Sequence, residues 1–343
     1  MLRWSGYTKW RPHAGLLLLL STSALLSSLL LSGCRQQSPL ASLPPSATAS
    51  IETVQVIDPE DLDTLNKRFK QNDYSWDKLE AGVPPLIVTR FPEDLNHRLN
   101  SGEKKRAFLL SLLPMVLLAN QAIEAERREL ETLLARHDQM GLISQEEKQR
   151  LKEMVDYYQL ERDPLNDKRA RAMLLHRVDI LPPSLVLAQA ATESGWGTSR
   201  FTREGNNLFG QRTYRTGNGI VPSRRPDGEN HEVKRFGSLF ESVRSYMRNL
   251  NTHNAYRELR DLRARLRRGG EHLSGVQLAS GLDAYSALNG DYIDYVRDMI
   301  RANDLSRANQ AFLRPAAPDS APAFIPTVAE LLASKANAAE LPR

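Results

Sequence analysis

From Glu103 to about His137 the chain reads as one long helix. Leu109, Leu112, Leu113, Val116 and Leu117 recur at three- and four-residue spacing, and Leu130, Leu133 and Leu134 continue the stripe. A stripe of that size has to be buried, so the fold must be assembled around this helix. Phe108–Ala119 is almost wholly apolar, but 12 residues with Pro114 among them are too few to cross a bilayer. They predict a buried, kinked helix. The single cysteine, Cys34, excludes intramolecular disulfides and cysteine-based zinc clusters. Apolar packing therefore has to hold the fold, and 343 residues with 41% hydrophobic content are enough for a substantial core.

The surrounding pattern is also mainly helical. Gly141 ends the long run. Ser144 followed by Glu147 has the spacing of a capping box, opening a second helix through Tyr158. These two helices predict a hairpin packed on the C-terminal half of the chain, without chemistry of its own. Val83–Val88, with Pro84 and Pro85, is expected to be extended. Beyond about residue 163, helices are expected over 166–178, 183–194, 238–251, 254–267, 274–281 and 290–302. Gly210, Gly217, Gly219 and Asp227-Gly228 are turn signals for a short hairpin around 206–236. The Arg-rich stretch Arg257–Arg268 could bind polyanions, but at helical spacing it reads as a solvated face. No internal repeat is apparent.

The N-terminus carries an address. Arg3, Lys9 and Arg11 precede Leu16–Leu31, an uncharged run of 16 residues, ten of them Leu. As a helix it spans about 24 Å, short of a bilayer core of about 30 Å. Small residues then lead into Cys34, the pattern of a cleaved export signal over 1–33. Leu31-Ser-Gly-Cys34 resembles a bacterial lipobox, which implies lipidation of Cys34 and a membrane anchor; the other reading is an ordinary signal with an incidental cysteine. The residue after Cys34 is Arg35, not Asp. By resemblance to Gram-negative lipoproteins this implies the outer membrane, facing the periplasm. Residues 34–54, rich in Ser, Pro, Ala and Gln, read as a flexible tether.

Charge and motifs narrow the chemistry. The net charge is +5, of which +3 lies in the first 33 residues, so residues 34–343 carry only +2. That removes most of the support for a nucleic-acid partner. Gly217-Asn-Gly219 lacks the rest of a phosphate loop, and His231-Glu232 is not a zinc-protease pair because Arg235 stands where the second His would be. The seven histidines are scattered. No metal and no organic cofactor are expected.

One carboxylate stands out. Pro182 and Pro183 suit a helix start, Val186, Leu187, Ala190 and Ala191 form a buried stripe, and Gly195 suits a left-handed terminator. Glu193 therefore lies in the last helical turn, where the partial negative charge of the helix end disfavours a second negative charge. Trp196 and Phe209 are candidate apolar neighbours that would desolvate it further. Both effects raise a carboxyl pKa, and an acid still protonated near neutrality suits general-acid catalysis.

Ala190-Ala-Thr-Glu-Ser-Gly-Trp-Gly197 followed by Asn206-Asn-Leu-Phe-Gly210 resembles the signature of the family-73 glucosaminidases, bacterial peptidoglycan hydrolases with a lysozyme-like helical fold. Val233–Phe236, Ser242–Leu250, Asn254–Tyr256, Tyr285, Tyr292 and Met299-Ile300 extend the likeness over roughly 165–305. The resemblance implies Glu193 as the catalytic acid and no cofactor. It implies Asn206, Asn207 and Phe209 as cleft-shaping or substrate-binding residues. Trp196 and Tyr256 would offer flat faces to sugar rings or pack beneath the acid. For a second carboxylate, Glu229 and Glu232 lie on the return side of the hairpin, and Glu232 is favoured; the alternative is attack by the substrate's own N-acetyl group.

The expected layout is a helical accessory region over 55–162, a lysozyme-like hydrolase domain with a small β-hairpin lobe over 163–310, and a Pro/Ala-rich tail over 311–343 with a short helix near Val328–Lys335. The expected reaction is endo-β-N-acetylglucosaminidase cleavage of the β-1,4 bond after N-acetylglucosamine in peptidoglycan glycan strands. The competing readings are a lytic transglycosylase and a non-catalytic wall-binding lipoprotein.

Overall fold

The computed structural model describes residues 54–97, 101–217, 219–223, 225, 228–283, 285 and 290–314. The export signal, Cys34, most of the tether and the expected Val328–Lys335 helix lie outside the described residues.

The long helix forms as a single element, α2 (Ser101–Met140), preceded by α1 (Leu62–Gln71). Helix α2 continues unbroken across Pro114, which costs one backbone hydrogen bond. By length and apolarity it could cross a membrane, but 72% of its most apolar window is buried inside the protein. Its first half, Ala107–Ala119, shares one hydrophobic cluster with α5 (Pro183–Ser194), α7 (Leu239–Thr252) and α10 (Gly290–Ala302). Its second half joins α3 (Gln145–Tyr157) and α4 (Lys168–Arg177) in a smaller cluster around Leu130, Leu134, Met154 and Leu174. The Ser144–Glu147 capping box is present at the start of α3.

Polar ties fix α2 to the rest. The Asn120 side chain donates to the Leu181 carbonyl at 2.8 Å and accepts from the Leu181 amide at 3.1 Å. Arg127 donates to the carbonyls of Leu175 and Val178 at 2.7 and 2.9 Å. Residues 54–119 thus help build the core in which the motif-bearing helices sit.

The small sheets are placed by their neighbours. Strands β1 (Gln55–Ile57) and β2 (Leu86–Val88) pair in parallel across α1, so the extended reading of Val83–Val88 holds and β1 is an addition. At the start of the stretch read as a tail, Leu313 forms an isolated parallel bridge with Val83, just before β2. The Val83 amide donates to the Phe312 carbonyl at 2.8 Å, and the Arg314 amide donates to the Val83 carbonyl at 3.0 Å. The expected hairpin is a three-stranded antiparallel lobe of β3 (Arg212–Thr213), β4 (Gly219–Ile220) and β5 (Glu232–Lys234), in the order β3-β5-β4. A Cβ at Gly219 would meet the Val233 carbonyl oxygen at 2.6 Å, so only glycine lets β4 approach β5 this closely. The expected 274–281 helix is α9 (Gly275–Leu278) followed by a 3₁₀ turn, while α6 (Arg200–Gly205) and the 3₁₀ turn Leu305–Gln310 have no counterpart among the expected helices.

The arginine-rich helix α8 (Arg257–Arg268) departs from its sequence reading. Arg260 and Arg263 are buried rather than solvated. Arg260 donates to the carbonyls of Leu250 and His253, at 2.8 and 2.9 Å. Arg263 donates to the carbonyls of His176, Asp179 and Ile180 and to Asn251 Oδ1, all within 3.0 Å. The guanidinium's fixed fork satisfies carbonyl oxygens freed where α4 and α7 end.

Candidate active site

Helix α5 ends as its sequence predicts, on Gly195 in the left-handed conformation with φ +58°. Trp196 and Gly197 also have positive φ, +61° and +83°, so the chain reverses sharply just after Glu193. Ser194 secures this reversal. Its hydroxyl donates to the Ala190 carbonyl at 2.6 Å and accepts from the Gly197 amide at 2.8 Å. A Cβ on Gly197 would stand 2.7 Å from the Phe91 ring. Gly197→Ala is therefore expected to lower stability by about 1–3 kcal/mol, from backbone strain and overpacking together. Denaturant unfolding of the variant checks this, and an unchanged midpoint would refute it.

Glu193 retains solvent access, but tyrosines crowd its protein side. Tyr292, from α10, donates its hydroxyl to Glu193 Oε1 at 2.9 Å. The fully buried Gln189, one turn earlier on α5, donates its amide to the Tyr292 oxygen at 3.1 Å. The Tyr246 hydroxyl, from α7, in turn donates to Gln189 Oε1. In donor order the chain runs Tyr246, Gln189, Tyr292, Glu193, with every donor directed toward the carboxylate. Tyr285 stacks on Tyr292 with ring centroids 5.1 Å apart, and Tyr256 lies 6.1 Å from Tyr285.

The electrostatics derive from this packing. Burial pushes the Glu193 carboxyl above its ordinary value, and the hydrogen bond from Tyr292 to the ionised form partly opposes the rise. The Glu193 charge in turn adds to burial in raising Tyr246, Tyr285 and Tyr292, and Tyr256 is pushed up to about 12. These hydroxyls are donors throughout the physiological range.

The other expected site residues fall in different places. Trp196 packs edge-on against Phe108, 5.5 Å between centroids, with Lys105 Nζ 4.8 Å from its ring centre. Tyr256 is buried and within reach of the Glu193 charge. Phe209 is buried too, its ring stacked on Tyr246 at 3.8 Å. Asn207 is buried, and its four hydrogen-bonding positions are filled by the backbone. It donates to the Gln211 and Lys234 carbonyls, at 2.9 and 2.8 Å, and accepts from the Phe209 and Gln211 amides, at 3.2 and 3.0 Å. Asn206, with φ +51°, donates to the Phe236 carbonyl at 3.2 Å. In this geometry Asn207 and Phe209 are framework, not sugar contacts, and the Asn206 amide is engaged with backbone.

Glu232 is 4% exposed. Its carboxylate accepts from the Gly217 amide at 2.9 and 3.1 Å and from the Gly219 amide at 2.7 Å, tying the turn before β4 to β5. A carboxylate held this way shapes the lobe and is poorly placed to act as a nucleophile or base. Glu229 is paired with His231, 2.8 Å away. The sequence reading overlooked Gln189, although a lone amide in an apolar helix one turn before the acid is a legible signal.

A desolvated helix-borne acid in a helical fold with a small β lobe is an arrangement suited to a glycosidase. Residues 169–305 match the family model described as mannosyl-glycoprotein endo-beta-N-acetylglucosaminidase. The chain belongs to this glucosaminidase family. It is 35% identical over 210 residues to Protein bax of Escherichia coli strain K12, an alignment covering 61% of this chain and 73% of that protein. No solved structure gives a significant match.

Proposed function

We propose that the protein is an endo-β-N-acetylglucosaminidase that hydrolyses the β-1,4 bond after N-acetylglucosamine in peptidoglycan, with Glu193 as general acid. The observation that carries this reading is the Glu193 carboxyl itself, accessible to a polymer yet desolvated by a tyrosine cluster that raises its pKa. With Oε1 accepting from Tyr292, the transferable proton resides on Oε2. That proton passes to the glycosidic oxygen as the bond breaks.

The engaged state of Glu232 favours a mechanism without a protein nucleophile. Attack by the substrate's N-acetyl carbonyl on the anomeric carbon supplies the second group, as in substrate-assisted glycosidases. Trp196 and Tyr256 then support the acid's surroundings. Residues 1–33 export the chain, and lipid on Cys34 anchors it to the outer membrane. Residues 34–54 give about 25 Å of r.m.s. reach toward the wall.

Product analysis tests the reaction. Residues 35–343 incubated with purified peptidoglycan are expected to release muropeptides with reducing N-acetylglucosamine ends, seen by mass spectrometry. Anhydro-sugar ends would establish a lytic transglycosylase instead. Wall binding without turnover would identify a scaffold.

A further inference from the structure

The positive charge of the molecule is not spread evenly. Residues 199–236 hold eight Lys and Arg against four Asp and Glu, a net +4, while residues 34–343 as a whole sum to +2. Outside this stretch, therefore, the exported chain carries −2. Two of the acids here already serve neighbours: Glu232 holds glycine amides and Glu229 pairs with His231. Glu204 lies 3.7 Å from Arg200. Among the described residues, Arg212, Arg215, Arg225, Lys234 and Arg235 form no ion pair with a carboxylate.

Thr213 pairs with Glu232, so Lys234 shares their face of the β3–β5 pair, and Arg215 follows two residues after Thr213. Lys234 stands at the end of β5 with its ammonium 4.8 Å from the Phe236 ring centre. Burial together with the positive charges of Arg248 and Arg215 lowers its pKa, and Glu241 is the nearby acid that opposes them. Glu241 is itself engaged, accepting from the Gly237 amide at 3.0 Å. Tyr214, 70% exposed, precedes Arg215 and adds a flat apolar surface. This face adjoins the acid's support. The Lys234 carbonyl is held by Asn207, and Phe209, two residues on, stacks on Tyr246 at the head of the donor chain to Glu193.

We propose that the β lobe is a cationic arm that binds the carboxylates of the peptides attached to the glycan, through Arg215 and Lys234, so that peptide-bearing strands are cleaved in preference to bare ones. The inference rests on the peptidoglycan reading above and deepens it. A lobe with net positive charge attracts a polyanionic ligand, whose carboxylates serve as counter-ions to its exposed cations. Glycan stripped by an amidase loses the peptide carboxylates and keeps only the lactyl carboxylate freed on each muramic acid, a lower and differently placed negative charge.

The test uses the full chain and two polymers, peptide-bearing glycan strands and the same strands stripped of peptide by an amidase. Cleavage and co-sedimentation are both measured from 50 to 300 mM salt. At low salt the wild type should favour the peptide-bearing polymer by about three- to tenfold, the range expected of a few exposed ion pairs, and salt should erase the preference. Arg215→Gln/Lys234→Gln should bring the ratio close to one, and Arg215→Glu/Lys234→Glu should push it below one. A misfolded variant would instead lose both polymers equally. A wild-type ratio of one, or a ratio indifferent to these substitutions, overturns the proposal while leaving the glucosaminidase reading intact. If neither polymer is cleaved, that reading fails, and co-sedimentation alone decides whether the arm selects peptide-bearing strands. Binding to phosphatidylglycerol vesicles that the double variant abolishes, without any polymer preference, would assign the face to a membrane surface and overturn the proposal.

Discussion

Glu193→Gln is expected to lower kcat/KM on purified peptidoglycan by about 10²–10⁴-fold, the range that a positioned general acid contributes. The substitution keeps size and shape, and its amide oxygen still accepts from Tyr292, so the loss reports the missing proton. Stability should move the other way. The fold raises this carboxyl's pKa, so the folded state favours the neutral form. That favourable contribution is complete below the unfolded pKa and is lost as pH rises through the folded value. A glutamine is neutral throughout. The variant's unfolding midpoint should therefore exceed wild type at pH 8 and lie closer to it at pH 4. An inactive variant with a lowered midpoint at pH 8 would mean that Glu193 is structural. The pH–rate profile gives a second reading. Wild-type activity should fall on the basic side at a pH above the ordinary carboxyl range. Tyr292→Phe should move that limb further up, because it removes a hydrogen bond that favours the ionised form.

Much of this was legible because periodicity and caps are local signals. The burial of α2, the Pro183 start and Gly195 end of α5, and the capping box at Ser144 all derive from residues close in sequence. What could not be read depends on residues brought together from far apart. Glu193 meets the Tyr292 hydroxyl from 99 positions away, and the rings of Trp196 and Phe209 pack on Phe108 and Tyr246. Asn206 and Asn207 match a motif whose amides suit sugar contact equally well. Only the strand register shows that Asn207 holds the Lys234 and Gln211 carbonyls. Glu232 is the same case: an acid on the return strand reads as catalytic until the turn it faces places two glycine amides against it.

The helical region before residue 162 shows a different loss of information. A stripe shows that a helix is buried but not against what. Phe108 belongs to the same cluster as Leu187 on α5 and contacts Trp196 just beyond Glu193. The Thr89 carbonyl accepts from the Leu239 amide at the start of α7 at 3.0 Å. The acid's helix is therefore held in place from both sides, by α2 and by the tyrosine-bearing helices α7 and α10.

The largest stability effect is expected at Asp179, a residue that neither the family motif nor the apolar pattern marks. It is 3% exposed and lies among three guanidiniums. Arg263, 1% exposed, has its Nε 3.4 Å from Oδ2; Arg267 donates from Nε to both oxygens, at 2.9 and 2.8 Å; and Arg127 Nη1 lies 3.8 Å from Oδ2. This one carboxylate thus ties α2, the loop after α4 and α8 together. Burial lowers the Arg263 pKa to about 10, with Asp179 the largest opposing influence, so the guanidinium is still charged at neutral pH. Asp179→Ala leaves that charge buried without its counter-ion, a change that costs about 3–5 kcal/mol in comparable buried pairs. For a protein of this size the unfolding midpoint should fall by roughly 6–15 °C. Replacing both partners, Asp179→Leu with Arg263→Met, should recover much of that loss, because the desolvated charge is then gone. The Arg263 bonds to the carbonyls of His176 and Ile180 go with it, which limits the recovery. A midpoint within about 1 °C of wild type for Asp179→Ala would mean that the carbonyl bonds of Arg263, and not its ion pair, hold α8 in the fold.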